Sequence, residues 1–575
     1  MPWPRAVARV HVVRGAPVGI PWPTFACVAL VVLGVAWACW PGLDGGWGRD
    51  DFMQLAIARM VGSPWPLFMQ DHYPVPGAVF RPLGFASMWL DTALFGTSYR
   101  GHAAVDLALH AGVALALFAA LRRFAVPRLV ALAITLLFAL HPATVGTAQW
   151  WSARFDVLAT LCVLLAVGIG MPGGTRRSPV VLVACLVAGL AAMASKETGL
   201  VVAPALTMLW WPARDCSGSD RRRAWMGIAA AWLVAGLFLG WRTLVLGTPA
   251  SALTGTESLA PMLARGLVGW AGFAPGYFSF AVRLDSSARV LLAAAGWLAA
   301  MLALHAWVRR RPADRASPPM APETGRLAAC GTCLLLLPAL LQAPVTALNA
   351  AGLQAGASAV AAAMQSRLYY LGLAGAALLL AALLTRLQVR MAPHWRVLAL
   401  LPALLGIAAF APAARETSAA FARVSHANAA LAQEAVAAVD RLHLPDSGCR
   451  IAFAGVTPPP EWDIYVSMDS ILKALARDRQ RIGHCVVEAN YPTWFSLFSA
   501  PFDPADAAPS LPLVQGGQMV PWLHAGGLVV GYLEPPAAAF REDDGRTLVL
   551  EWRDGRFVEA PRVPAGQGGP RAAAE

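Results

Sequence analysis

Asp50 and Asp51 stand side by side just past the first apolar segment of a chain in which 57% of residues are hydrophobic and 14% charged. Carboxylates are costly near a bilayer, so a pair held at the end of a span points to chemistry. A carboxylate there can take the proton from a hydroxyl as a general base. Adjacent residues point about 100° apart on a helix and to opposite faces on a strand, so the two do different things. Asp50 is read as the base and Asp51 as its partner in positioning that hydroxyl. The plainer alternative is a helix cap for the run from Phe52 to Met60, since Asp favours helix N-termini, although one cap needs only one Asp.

Four cations have the chemistry to hold a phosphate: Arg81, Arg154, Lys196 and Arg367. Arginine offers a planar fork matched to phosphate oxygens. Their alternative is snorkelling to lipid headgroups, and Lys196 beside Glu197 also reads as an interfacial ion pair. His102, Asp106 and His110 are four residues apart and share a helical face. That row spans more than two turns, whereas a metal needs at least three converging ligands. His102 can reach the site, while His110 is read as a buried hydrogen-bonder between helices. His141 precedes Pro142 and either contacts substrate or caps a helix. Trp150, Trp151 and Tyr369 fit an aromatic interface belt, with sugar stacking as the sharper reading.

The elements that must carry these residues are membrane spans. A mean hydropathy of +0.55 with 22 Trp in 575 residues excludes an ordinary soluble enzyme. The net charge of +12 does not point to nucleic acid, because the arginines cluster in short tracts between apolar runs. Runs long enough to cross, roughly 17–25 residues, lie near 24–40, 103–121, 126–140, 155–171, 179–194, 198–213, 224–246, 289–308, 326–343, 368–385 and 397–412. Arg122, Arg123 and Arg128, then Arg176 and Arg177, Arg221 to Arg223, Arg309 to Arg311, and Arg386 with Arg390 fall in alternate loops. With Arg5 to Arg14 they place the N-terminus in the cytoplasm. A further crossing at 266–282 would put Arg309 to Arg311 outside and is rejected. The first run reads as a retained span, since Trp40-Pro41-Gly42 makes a poor signal-peptide cleavage site.

The loop from about Pro41 to Gly101 is then external, with Asp44, Asp50, Asp51, Asp71 and Asp91 against Arg49, Arg59, Arg81 and Arg100. After Phe410 the character changes. An Ala-rich amphipathic helix over 414–442 precedes strands near 450–455, 484–488, 528–533 and 547–552, with a helix over 465–477. Cys449 and Cys485 can pair if this region is periplasmic. Cys330 and Cys333 form a C-x-x-C at the start of an apolar span, with no second pair or His to make zinc credible. The expected domains are a transmembrane part over 1–412, an extracytoplasmic α/β part over 413–561 and a disordered tail over 562–575.

Asp50-Asp51 with Gln54-Leu-Ala-Ile-Ala-Arg-Met60 resembles the acidic pair and following helix in the first external loop of GT-C glycosyltransferases. Phe80-Arg-Pro-Leu83, Leu94-Phe-Gly96, Gly101-His102 and His110 resemble the tetratricopeptide-linked O-mannosyltransferase branch and its bacterial relatives. Phe138-Ala-Leu-His-Pro142, Trp151-Ser-Ala-Arg154, Asp156-Val-Leu-Ala159 and Ser195-Lys-Glu197 continue that order, and Arg367-Leu-Tyr-Tyr370 is similar to a later loop motif. Two positions depart: Gly146 stands where the pattern has Glu, and Asp106 where it has Asn. The resemblance implies a polytopic α-helical membrane protein of about eleven transmembrane helices, GT-C-like, with a small C-terminal α/β extracytoplasmic domain.

It also implies an integral enzyme of the cytoplasmic (inner) membrane that moves a sugar from a polyprenyl-phosphate donor to an envelope glycan, lipid or protein acceptor. Asp50 and Asp51 would be catalytic. Arg81, His102, His141, Arg154, Lys196, Glu197, Arg367 and Tyr370 would bind substrate or phosphate. No cofactor is required by the sequence, which leaves a divalent metal open. The competing classes are a lipid-linked sugar transporter or flippase, expected to show two similar halves, and a polysaccharide polymerase or ligase, expected to carry its main loop late in the chain. A topology reporter fused after residue 420 is expected to read as external, and a cytoplasmic signal would overturn the arginine-derived orientation.

Overall fold

The structure, a computed structural model, describes residues 22–48, 50–73, 79–171, 179–211, 218–247, 264, 322–342, 366–444, 449–454, 468–477, 482, 485–489, 519–524, 527–532 and 547–560. Helices dominate it. In chain order they are α1 (Trp22–Cys39), α2 (Asp51–Met60), α3 (Pro66–Met69), α4 (Pro82–Phe95), α5 (Tyr99–Arg123), α6 (Arg128–Ala139), α7 (Pro142–Gln149) and α8 (Arg154–Gly170). There follow α9 (Pro179–Ser195), α10 (Val202–Trp210), α11 (Gly218–Leu246), α12 (Pro322–Leu341), α13 (Tyr370–Arg390), α14 (Leu401–Arg441) and α15 (Met468–Leu475).

Among the described residues six helical stretches are long and apolar enough to cross a bilayer: Trp22–Asp44, Tyr99–Arg123, Trp151–Gly170, Gly218–Leu246, Arg367–Arg390 and Trp395–Arg441. A seventh arises if α6 and α7, bent by 55° at their break, count as one. The chain is a multi-span helical membrane protein. Helices occupy every expected apolar run except 289–308, which lies outside the described residues, as does 266–282. Among the described residues α9 and the stretch Glu197–Trp210 are apolar but shorter than the six full spans. At about 1.5 Å per residue neither alone covers the roughly 30 Å hydrocarbon core.

Local chemistry sets the breaks. The α6–α7 bend falls at His141, extended at φ −75° and ψ 132°, as a residue before proline prefers. Pro142 then starts α7 in the first turn, where its missing N–H costs nothing. Helix α4 likewise starts on Pro82 and stops at Gly96, whose φ of +59° is a conformation that suits glycine. Helices α12 and α13 meet through small residues. A Cβ on Gly375 would lie 2.5 Å from Leu335 N and 2.8 Å from Gly331 O. Close backbone approach of this kind holds helices together in lipid, where van der Waals packing replaces hydrophobic driving force.

Helix α14 is continuous through Pro412, so the expected division between 412 and 413 falls inside one helix. Beyond it lies a four-stranded sheet built from β1 (Cys449–Ala454), β2 (Cys485–Ala489), β5 (Thr547–Arg553) and β6 (Arg556–Glu559), in the order β2-β1-β5-β6. Strand β1 runs parallel to β2 and β5, while β5 and β6 form an antiparallel hairpin. A separate antiparallel pair joins β3 (Met519–His524) and β4 (Gly527–Tyr532). Cys449 and Cys485, register partners on β1 and β2, are joined by a disulfide.

One apolar core unites this sheet with the acidic loop. Phe52 and Leu55 of α2 pack with Leu431 and Ala435 of α14, Ile471 and Leu472 of α15, and Ile451 and Phe453 of β1. Helix α2 is thus buried along most of its length and is not a free surface helix. Replacing Gly375 by Leu is expected to cost about 1–3 kcal/mol or more through overpacking. The melting temperature in detergent should fall, whereas Gly236→Leu, with nothing near its Cβ, should leave it unchanged.

Candidate active site

Asp50 occupies the N-cap position of α2, yet its side chain makes no cap hydrogen bond. The cap alternative therefore does not describe it. It is half-buried, and among the described residues its carboxylate carries no ion pair. Asp51 is the opposite case, only 3% exposed. Its Oδ1 accepts the Ser152 backbone N–H at 2.9 Å and the Ser152 hydroxyl at 2.7 Å, and its Oδ2 accepts the Gly48 N–H at 3.3 Å. Burial pushes the Asp51 carboxyl up to about 7. The charge of Asp50 adds to the rise, and the hydrogen bonds from Ser152 and Gly48 oppose it.

The loop before α2 is seated on α14. Gly42 N–H donates to Ser418 Oγ and Gly46 N–H to Ser425 Oγ, both at 3.0 Å. A Cβ on Gly46 would lie 2.7 Å from Ala429 Cβ, so this close approach needs glycine. On the other side of α2, Arg59 donates to the carbonyls of Ala474 and Ala476 at the end of α15, where a cation suits the helix dipole.

The cations gather around the start of α8. Lys196 Nζ donates to Asp156 Oδ1 at 2.5 Å, and both side chains are buried. Arg81 pairs with Glu197 at 3.0 Å and lies over the Phe155 ring. The alternative of an interfacial Lys196–Glu197 ion pair gives way to two crossed pairs, because Lys196 turns inward to α8. Arg367 lies over the Trp150 ring at 4.1 Å. Both Arg81 and Arg367 are within electrostatic range of Lys196.

Other expected residues are committed elsewhere. Arg154, 1% exposed, is clamped between Asp91 Oδ2 at 2.5 Å and Asp106 Oδ1 at 2.6 Å, and also donates to the His102 carbonyl at 3.2 Å. A buried arginine needs such partners, and here two carboxylates fill its fork. His102 Nε2 meets Gly96 O at 3.0 Å. His110 bridges helices as expected. Its Nε2 donates to Ala139 O at 3.0 Å, so its Nδ1 accepts the Tyr370 hydroxyl at 2.6 Å. Tyr370 is accordingly a buried packing residue. His141 caps α7, its Nδ1 accepting Ala143 N–H at 3.1 Å. Trp150 and Trp151 are buried at 3% and 1% exposure, not set in an interface belt, since each supports an arginine.

Sequence reasoning missed Arg242, Ser152 and the structural weight of Asp156. Arg242, buried near the end of α11, lies within electrostatic range of Arg81, Glu197 and Asp71. Its neighbour Trp241 donates to Phe68 O at 3.0 Å and packs edge-on against Phe80, tying α11 to the acidic loop. The available signal was an arginine at the end of a span opposite the Arg221–Arg223 tract. Among the described residues no three His, Cys, Asp or Glu side chains converge as a metal site requires.

No protein-family model matches this sequence. No curated protein matches it. Among solved structures it is similar to the archaeal oligosaccharyltransferase AglB from Archaeoglobus fulgidus, in complex with an inhibitory peptide and a dolichol-phosphate. That likeness has 13% identity, covers 75% of this chain and 62% of that one, and has a TM-score of 0.40. It is also similar to ArnT from Cupriavidus metallidurans bound to undecaprenyl phosphate, at 13% identity, 88% of this chain, 97% of that one and a TM-score of 0.42. This chain spans about three-fifths of the AglB chain. At this identity and overlap neither structure assigns an activity to the chain.

A carboxyl whose native pKa is raised stabilises most below its unfolded value of 3.8 and loses that contribution as pH rises through about 7. The protein in detergent is therefore expected to melt lower at about pH 8 than at about pH 5 through this group, and Asp51→Asn should flatten the difference. An unaltered slope in the variant would show that Asp51 titrates as an ordinary carboxylate.

Proposed function

We propose that this chain is an integral-membrane glycosyltransferase of the GT-C kind, moving a sugar from a polyprenyl-phosphate donor to an envelope glycan, lipid or protein acceptor on the external membrane face. The observation that carries the reading is the convergence of Arg81, Lys196 and Arg367 on the segment Trp150–Asp156, which also holds the Asp51 end of the acidic turn. Ser152 and Asp156 are four residues apart on helical turns, roughly 7 Å along the axis, a spacing suited to a sugar phosphate head group. The disulfide between Cys449 and Cys485 supports an oxidising, extracytoplasmic side for the C-terminal sheet.

In this reading the acceptor hydroxyl oxygen attacks the anomeric carbon of the donor sugar, and its proton passes to the Asp50 carboxylate. The bond from that carbon to the phosphate oxygen breaks. Polyprenyl phosphate leaves without protonation, so fixed positive charge must stand where its negative charge develops. Arg81, Lys196 and Arg367 supply it, with Arg242 beside them. Asp156 and Glu197 keep two of these cations paired while the site is empty, which lowers the cost of holding them in an apolar bundle. Arg154, His102, His141 and Tyr370 act behind the site, as packing and capping groups.

Purified protein incubated with labelled polyprenyl-phosphate sugars and envelope acceptors tests this directly. Asp50→Asn is expected to lower turnover by about 10²- to 10⁴-fold with insertion and folding intact. Lys196→Ala or Arg367→Ala should weaken donor binding by about 1.5–3 kcal/mol, the scale of a charge-assisted hydrogen bond. Wild-type-like turnover of the Asp50 variant would exclude it as the base, and movement of intact lipid-linked sugar without transfer would mark a flippase.

A further inference from the structure

The turn that carries Asp50 is closed on itself. Gly48 O accepts the Asp51 N–H at 3.0 Å, and Gly48 N–H donates back to Asp51 Oδ2 at 3.3 Å. Arg49 and Asp50 are the residues between these ties. The other carboxylate oxygen, Asp51 Oδ1, leaves the turn and takes two donors from one residue of another element, Ser152 N–H at 2.9 Å and Ser152 Oγ at 2.7 Å. A single donor lets a carboxylate pivot, whereas two donors from one residue fix both its position and its direction. The joint is shut off from water, with Asp51 3% and Ser152 5% exposed. Gly48 also backs onto α14, where a Cβ would lie 3.1 Å from Asn428 Nδ2.

Ser152 lies in the short 3-10 turn Trp151–Ala153. Two residues before it is Trp150, which supports Arg367; four residues after it is Asp156, which holds Lys196. We propose that Ser152 is a positioning residue for glycosyl transfer, a latch that fixes the Asp50 turn in register with the cation-bearing turn. Base and leaving-phosphate site thereby keep one spacing. This rests on the glycosyltransferase reading above and adds to it a residue that touches neither substrate. It also gives Asp51 a role internal to the protein, as the strike of the latch, in place of contact with the acceptor.

The charged and titratable groups on the elements around Asp51 include Asp50 on its own turn, Arg59 on α2, Asp91 on α4, Tyr99, His102 and Asp106 on α5, Arg154 on α8 and Lys473 on α15, with the His102 ring set between Trp47 and Trp151. Of these Asp91, Asp106 and Arg154 neutralise one another in large part. Loss of the Ser152 hydroxyl is therefore read most directly at Asp51 itself.

The test compares Ser152→Ala, Ser152→Cys and Ser152→Thr in the full-length protein by steady-state kinetics with a polyprenyl-phosphate sugar. Infrared titration of the Asp51 carboxyl band, assigned by its absence from Asp51→Asn, provides the second readout. Ser152→Ala should lower kcat roughly ten- to a hundred-fold, the scale of a catalytic group misplaced by about 1 Å, with donor KM nearly unchanged. The midpoint of the Asp51 band should rise by about one unit, because a donor to the charged form is lost. Ser152→Thr, which keeps the hydroxyl, should restore both. Ser152→Cys, a weaker donor, should fall between, and serves where the Ala variant does not fold. An unmoved band in the Ala or Cys variant would overturn the latch, as would a moved band with unchanged kcat. A wild-type protein that transfers no sugar overturns the glycosyltransferase reading itself and the latch with it. Failure of the latch alone is distinct, because it leaves the wild type active.

Discussion

A charge buried in an apolar bundle must find a partner or be lost, and in this protein those partnerships meet on one short stretch of chain, Trp150–Asp156. Ser152 supplies two donors to Asp51, Arg154 is clamped by Asp91 and Asp106, and Asp156 holds Lys196. The aromatic neighbours Trp150 and Phe155 lie under Arg367 and Arg81. Removing one member of a buried ion pair leaves the other uncompensated, at a cost of about 3–5 kcal/mol. Such costs make the stretch rigid. Anything it holds keeps its place relative to everything else it holds.

The acidic loop depends on a second support. Glycine at 45, 46 and 48 lets the chain run against α14, and Gly42 makes room for Gln149 of α7, while Ser418 and Ser425 of α14 accept the N–H groups of Gly42 and Gly46. Helix α14 then continues into the core shared by α2, α15 and the sheet. The C-terminal strands are therefore part of what fixes the acidic turn, and are not an appendage on a flexible stalk.

The helical runs were legible because apolar length alone reports them, and α1, α5, α8, α11 and α13 lie where hydropathy put them. The strands at Cys449–Ala454, Cys485–Ala489 and Thr547–Arg553 were legible from β-branched and apolar residues between turn formers. The acidic pair stood out by its cost. Long-range pairing was not legible. Nothing local in Ser195-Lys-Glu197 says that the lysine turns to Asp156 while the glutamate turns to Arg81, since that choice depends on where α8 and α4 pass. Trp150 and Trp151 misled for a related reason. A tryptophan near a span end suits headgroups until an arginine within the fold takes its face, as Arg367 does at Trp150 and Arg154 at Trp151.

The same reasoning separates Asp50 from Asp51. Chemically they are equal, and the sequence could only say that neighbours must differ. Packing then decides. Three donors and nearly complete burial make Asp51 part of the scaffold, and a carboxylate so held and shut off from water is poorly placed to serve as base for an incoming hydroxyl. Asp50 keeps its exposure because the scaffold is built one residue further on. A base needs to be held without being satisfied, and an adjacent acid that is itself fixed by three donors is one way to hold it.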